Sequence, residues 1–151
     1  MISDRLRELG IELPAPSSPG GNYLNCVVDG DMVYVSGHGP VDGDTMVTGK
    51  VGGDLTLEQG RDAARLTGLS ILATLQAELG DLDRIARIVR ILGMVNVAPG
   101  FDQTPDVING CSDLIVEVFG DVGRHTRSAV GLAALPFGIA VEVELTARLR
   151  A

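Results

Sequence analysis

The chain has 151 residues, 45% of them hydrophobic and 21% charged, and its 20 acidic against 12 basic side chains leave a formal net charge of −8. That size and balance describe one globular domain with a real core and exclude a disordered or fibrous chain. The acidic excess without a Lys/Arg run, the scatter of Tyr23, Tyr34, Phe101, Phe119 and Phe137, and the lack of a roughly 20-residue apolar run argue against nucleic-acid partners and a membrane span.

The amino terminus opens on a charged helical segment, Ser3 to Leu9, with none of the basic-then-apolar order of a secretion signal, so a cytoplasmic location is expected. "PAPSSPGG", residues 14 to 21, has the make-up of a linker. Residues 1–21 are therefore expected to form a helical extension with its linker, and residues 22–151 a single domain. Two β-rich runs divided by Asp-Gly-Asp predict a hairpin over residues 23 to 36. Between Thr56 and Leu79 the apolar residues follow a helical stripe. Thr56 and Gln59 have the spacing of a capping box, and Gly80 stands where the helix should stop.

"IARIVRILGMVNV", residues 85 to 97, is rich in β-branched residues and apolar in both alternation sets, which predicts a strand buried on both faces. Thr104 as N-cap and Pro105 in the first turn open a second helix running to about Phe119. Two strands follow, over 126 to 134 and 139 to 149. In the last, Val141, Val143, Leu145, Ala147 and Leu149 alternate with Glu142, Glu144, Thr146 and Arg148. The sum is an α+β fold, a sheet with two main helices packed on one face. Since two helices cover only one face, the other is expected to meet further copies of the chain, with pockets at the seams.

Cys26 and Cys111 lie far apart without metal-type spacing and read as free thiols; two histidines without an HxxxH pattern make no metal site. "SGHGP" lacks the third glycine of a dinucleotide fingerprint. No cofactor is expected.

"VYVSGHGPV", "NVAPGF", "TRSAVGLAALP" and "AVEVEL" together resemble the reactive intermediate deaminase (Rid, or YjgF-like) family, from about residue 22 to the end of the chain. The most specific part is Arg-Ser-Ala-Val, Leu-Pro eight residues after the arginine, and Val-Glu-Val-Glu in the last strand. The resemblance implies a chorismate-mutase-like fold with a mixed β-sheet, assembled as a homotrimer with pockets at subunit interfaces. It also implies hydrolysis of small carboxylated imines or enamines to 2-oxo acids and ammonia, without metal or organic cofactor.

By the same resemblance, Arg127 binds the substrate carboxylate and Glu142 positions the hydrolytic water. A planar guanidinium grips a carboxylate through two parallel hydrogen bonds, and a carboxylate beside water can orient it and take its proton. Taken alone, Arg127 reads first as a solvated strand residue, and alternation does not choose between Glu142 and Glu144. Tyr23 and Asn109 match a pocket tyrosine and a helix asparagine. Ser36, Gly37, His38 and Cys111 complete the expected lining, with His38 a departure from the glutamine often found there and Cys111 lacking the base partner of a nucleophile. His125 reads as a surface loop residue. The expected function is an imine deaminase; the alternatives are a small-metabolite-binding trimer without catalysis and an aminomuconate-type enamine deaminase.

Overall fold

A computed structural model describes residues 1–151. In chain order it contains α1 (Ile2–Glu8), β1 (Cys26–Asp29), β2 (Met32–His38), β3 (Val41–Asp42), β4 (Thr45–Met46), α2 (Leu57–Leu79), β5 (Ile85–Asn96), α3 (Thr104–Phe119), β6 (Thr126–Leu132) and β7 (Val141–Leu149). Five strands form one mixed sheet in the order β1-β2-β7-β5-β6, in which only β5 and β6 run parallel. The parallel pair is joined through α3. The last strand, β7, is inserted between β2 and β5, which α2 connects, so the sheet is built from one closed and one split β-α-β unit.

Local chemistry accounts for these elements. Asp-Gly-Asp turns the β1–β2 hairpin, where Asp29 faces Met32, and a second Asp-Gly-Asp at residues 42 to 44 turns the small β3–β4 hairpin. The capping box at the head of α2 is complete: the Gln59 backbone N–H donates to Thr56 Oγ1 at 3.2 Å, and the Thr56 N–H donates to Gln59 Oε1 at 2.9 Å. The head of α3 differs from the sequence expectation, because Gln103 precedes the helix and Thr104 is its first residue. Thr104 is buried, and its hydroxyl donates to the Ala129 carbonyl of β6 at 3.0 Å instead of capping. A tertiary partner has displaced the local one.

Both long helices lie on the same face of the sheet. Ile71, Leu72 and Leu75 of α2 and Ile108, Leu114 and Ile115 of α3 meet Val33, Ile88, Ile91 and Leu145 of the sheet in one buried cluster. The helices approach so closely that a Cβ on Gly110 would run into the Arg61 backbone, which is why a residue without a side chain stands there. The amino-terminal helix joins this core through buried Leu6, with Ile2, Leu9, Ile11 and Leu13 packed around it. It is pinned further by the Arg5 Nε–H donating to the Glu117 carbonyl at 2.9 Å. No helix is long and apolar enough to cross a membrane.

Within a single chain β5 is buried on its helix face alone, and its alternation is not regular. Irregularities in its pairing with β7 make Ala86 and Val89 extra residues, so that Ile85, Ile88 and Ile91 all land on the helix face at a spacing of three. Each bulge shifts the alternation by one residue and resets which side chains point to the core. The far face carries half-buried Leu92 and Met94 but also exposed Arg87, Val89 and Arg90.

Candidate active site

The side chains singled out above fall into two places on opposite faces of the sheet. Arg127 sits on edge strand β6 in register with Ile91, whose side chain is fully buried under the helices, so Arg127 points to the helix face. There α3 receives it. Nη1 donates to Asn109 Oδ1 at 2.8 Å and to Ser112 Oγ at 3.2 Å, and Nη2 has a long contact of 3.5 Å with the Pro105 carbonyl. None of the ion pairs of the chain involves Arg127. With Nη1 occupied, the Nε–Nη2 edge of the guanidinium is left for a carboxylate, the side-on geometry that gives two parallel hydrogen bonds.

His125 joins this group and is more than a loop residue. Its Nδ1 lies 2.7 Å from the Gly123 carbonyl and its Nε2 lies 2.9 Å from Ser112 Oγ. A carbonyl only accepts, so Nδ1 carries the proton and Nε2 accepts from the Ser112 hydroxyl, whose oxygen in turn accepts from Arg127. Burial lowers the His125 pKa, the Gly123 carbonyl opposes that, and the Arg127 charge adds to the lowering. The lowered pKa favours the neutral ring that accepts from Ser112. Asn109 and Ser112, one helical turn apart on α3, hold the guanidinium from one side.

Glu142 stands on β7 between buried Val141 and Val143, in register with Met94, and therefore on the open face. It lines a pocket of about 220 Å³ together with Ser17, Tyr23, Gly37, Met46 and Phe137. A Cβ on Gly37 would overlap the Glu142 carboxylate, so the glycine leaves the room that the carboxylate occupies. Burial, and secondarily Glu144, raises the Glu142 pKa. Such a carboxyl is a better proton acceptor than an ordinary surface glutamate. Glu144, also half-buried on the open face, lies in a separate hollow with Tyr34, Ser36 and Thr146.

Tyr23 borders the Glu142 pocket, its hydroxyl oxygen accepting the Gly20 N–H at 3.1 Å and keeping its own proton to donate. The Pro/Ser/Gly linker thus supplies a wall of the pocket. His38 borders it as well, but the ring is turned to the helix face: Nδ1 is 2.6 Å from the Ser36 carbonyl and Nε2 is 2.7 Å from Thr74 Oγ1 of α2. Burial lowers its pKa against the opposing effect of the Ser36 carbonyl. With both nitrogens engaged, the imidazole is a strut between β2 and α2, although the residue is expected from the sequence to offer its side chain to the pocket lining.

Ser36 and Cys111 do not reach the pocket that the sequence suggests for them. The Ser36 hydroxyl donates to the Leu24 carbonyl at 2.6 Å and faces the Glu144 hollow. Cys111 is fully buried between the helices, with its Sγ against Gly68, and desolvation pushes its thiol up to about 12 despite the Arg127 charge. A thiol so placed is inert toward ligand. Ser112, His125, Met46 and Phe137 were not among the sequence candidates. The spacing of Ser112 three residues after Asn109 was the signal available for the first of them.

The model of the family described as "YjgF/chorismate_mutase-like, putative endoribonuclease" matches residues 3–149. Protein TCP17 of Trypanosoma cruzi is 46% identical over 150 residues, covering 98% of this chain and 94% of that protein. A "putative endoribonuclease" from Shewanella oneidensis MR-1 has a solved structure that superposes with a TM-score of 0.95 at 33% identity, covering 99% of each chain. RidA from an Antarctic Psychrobacter species superposes with a TM-score of 0.62 at 27% identity, over 89% of this chain and 94% of that one.

Proposed function

The chain belongs to the YjgF/chorismate mutase-like family, and from that premise we propose that it is a cytoplasmic deaminase that hydrolyses small carboxylated imines or enamines to 2-oxo acids and ammonia, without metal or organic cofactor. The observation that carries the reading is the pairing of chemistries. Arg127 offers a pre-positioned, uncompensated guanidinium edge, while Glu142 offers a carboxyl of raised proton affinity in a pocket of substrate size.

In this reading the guanidinium holds the substrate carboxylate and so fixes the adjacent iminium carbon. Glu142 orients a water and accepts its proton as the C–O bond forms, and the C=N electron pair moves to nitrogen. The same proton is then delivered to the amine. The C–N bond breaks as the C=O bond closes, and Glu142 takes the remaining hydroxyl proton and passes it to the released ammonia, which departs as ammonium. Tyr23 donates a hydrogen bond from the pocket wall.

Because the two residues occupy opposite faces of one sheet, the reading requires a seam at which the Arg127 side of one copy meets the Glu142 pocket of another. A homotrimer closed by its open sheet faces provides three such seams. Residues 1–21 then serve as an extension whose linker completes the pocket of the 22–151 domain.

A second reading, a metabolite-binding trimer without catalysis, draws on His38, whose buried, doubly bonded ring adds no acid or base beside Glu142. The endoribonuclease description of the family fits less well, since a net charge of −8 opposes the phosphate backbone.

The test generates 2-imino acids in situ with an amino-acid oxidase and follows loss of the semicarbazide-trapped imine. Acceleration by the parent protein that disappears in Arg127→Ala supports deamination. Acceleration undiminished in that variant removes Arg127 from the mechanism, and saturable 2-oxo acid binding with no turnover selects the binding role.

A further inference from the structure

The turn Pro136–Gly138 contains the one non-glycine residue of the chain in the left-handed region, Phe137, with φ 56° and ψ 17°. A bulky aromatic residue in that region is strained, and strain of this kind persists where function retains it. The chain itself gives nothing back, because the Phe137 side chain is 97% exposed. Phe137 stands on the border of the Glu142 pocket, together with Met46 and Tyr23, which are 41% and 52% exposed. Glu142 is the sole carboxylate or cation among the residues lining this pocket. The lining thus combines one charged group with three exposed side chains, Phe137, Met46 and the ring of Tyr23, that offer apolar surface.

We infer that Phe137 is the specificity-determining residue of this pocket and selects substrates whose side chain is branched aliphatic or aromatic. The inference rests on the imine-hydrolysis reading above. With the iminium carbon at the water held by Glu142 and the carboxylate directed to a guanidinium, the substrate side chain is the group left to meet Phe137, Met46 and Tyr23. Closing an exposed ring over an apolar side chain removes both from water, a gain that a methyl side chain cannot supply. The leucine- and phenylalanine-derived imines are the fitting class, and the alanine-derived imine is the poor substrate.

The experiment compares the parent, Phe137→Ala and Phe137→Gly. It measures kcat/KM for imines generated from leucine, phenylalanine and alanine, calorimetric binding of the corresponding 2-oxo acids, Tm, and sedimentation velocity. The parent is expected to prefer the leucine- and phenylalanine-derived imines. Both variants are expected to lose roughly tenfold of that kcat/KM, the scale of a modest hydrophobic-pocket contact, and to leave the alanine-derived imine within about twofold. Phe137→Gly relieves the backbone and is expected to keep or raise Tm, a result that a purely structural role for the ring would not give. Equal loss on all three imines, or no loss, overturns the inference; so does a shift of either variant to a smaller sedimenting species, which makes Phe137 a subunit contact. If the parent turns over no imine, the deaminase reading fails separately. The 2-oxo acids then decide the inference: tighter binding of the leucine-derived acid that depends on Phe137 supports it, and equal or absent binding overturns it.

Discussion

Arg127 and Glu142 lie on opposite faces of one sheet, with β5 between their strands. Arg127 shares the face of buried Ile91, and Glu142 shares the face of Met94. No side-chain rotation unites them within one chain, so a site that uses both requires a subunit seam. Mixing inactive Arg127→Ala and Glu142→Ala subunits, unfolded together and refolded, is expected to regain activity, because some seams then combine an intact arginine with an intact glutamate. Random assembly at equal ratio restores about a quarter of the parental sites in a cyclic oligomer. Refolded mixtures as inactive as each variant alone place the chemistry within one chain.

Asn109 and Ser112 touch the guanidinium, and neither lines the Glu142 pocket. Hydrogen bonds to a charged group contribute about 1.5–3 kcal/mol, so Asn109→Ala is expected to raise KM roughly tenfold while kcat changes little. Steady-state kinetics on one imine checks this. Arg127→Lys should not recover the parental KM, since an ammonium lacks the planar fork that these partners orient.

The raised pKa of Glu142, due first to burial and then to Glu144, predicts the acid limb of activity. As pH falls through that raised value the water-orienting carboxylate is protonated and the rate drops, at a pH above the ordinary glutamate range. Glu144→Gln removes the repelling charge, so the limb should move to lower pH with the alkaline plateau preserved. Gly37→Ala, which pushes a methyl group into the space of the carboxylate, should lower the plateau itself while Tm stays near the parental value.

Stability should also depend on pH through His38. Folding holds this ring neutral and its pKa lowered, so on acidification the unfolded chain takes up the proton first. The contribution is complete above the unfolded histidine value of about 6.5 and is lost progressively as pH falls below it. Glutamine in place of His38 keeps a hydrogen-bonding group that does not titrate. Urea unfolding of His38→Gln at pH 7.5 and pH 5 should show a smaller difference than the parent, with His125 and, in the opposite sense, Glu142 contributing to the remainder. An unchanged difference removes His38 from the linkage.

Period and punctuation carried much of this protein in its sequence alone. The capping box and Gly80 bound α2, the alternation of β7 separates Val141 from Glu142, and Asp-Gly-Asp turns the first hairpin. These depend on neighbours within a few residues, which the chain order already supplies. The second Asp-Gly-Asp was equally visible and marks β3–β4. Only the tertiary structure decided which face each functional side chain occupies. The two bulges of β5 reset its alternation without any mark in its apolar run, and the insertion of β7 between β2 and β5 put one strand between Arg127 and Glu142. The partners of Arg127, the turning of His38 toward Thr74 and the exclusion of Cys111 from any pocket all depend on how α2 and α3 meet the sheet. Those contacts join residues far apart in the chain, so their geometry is fixed by packing and not by local sequence.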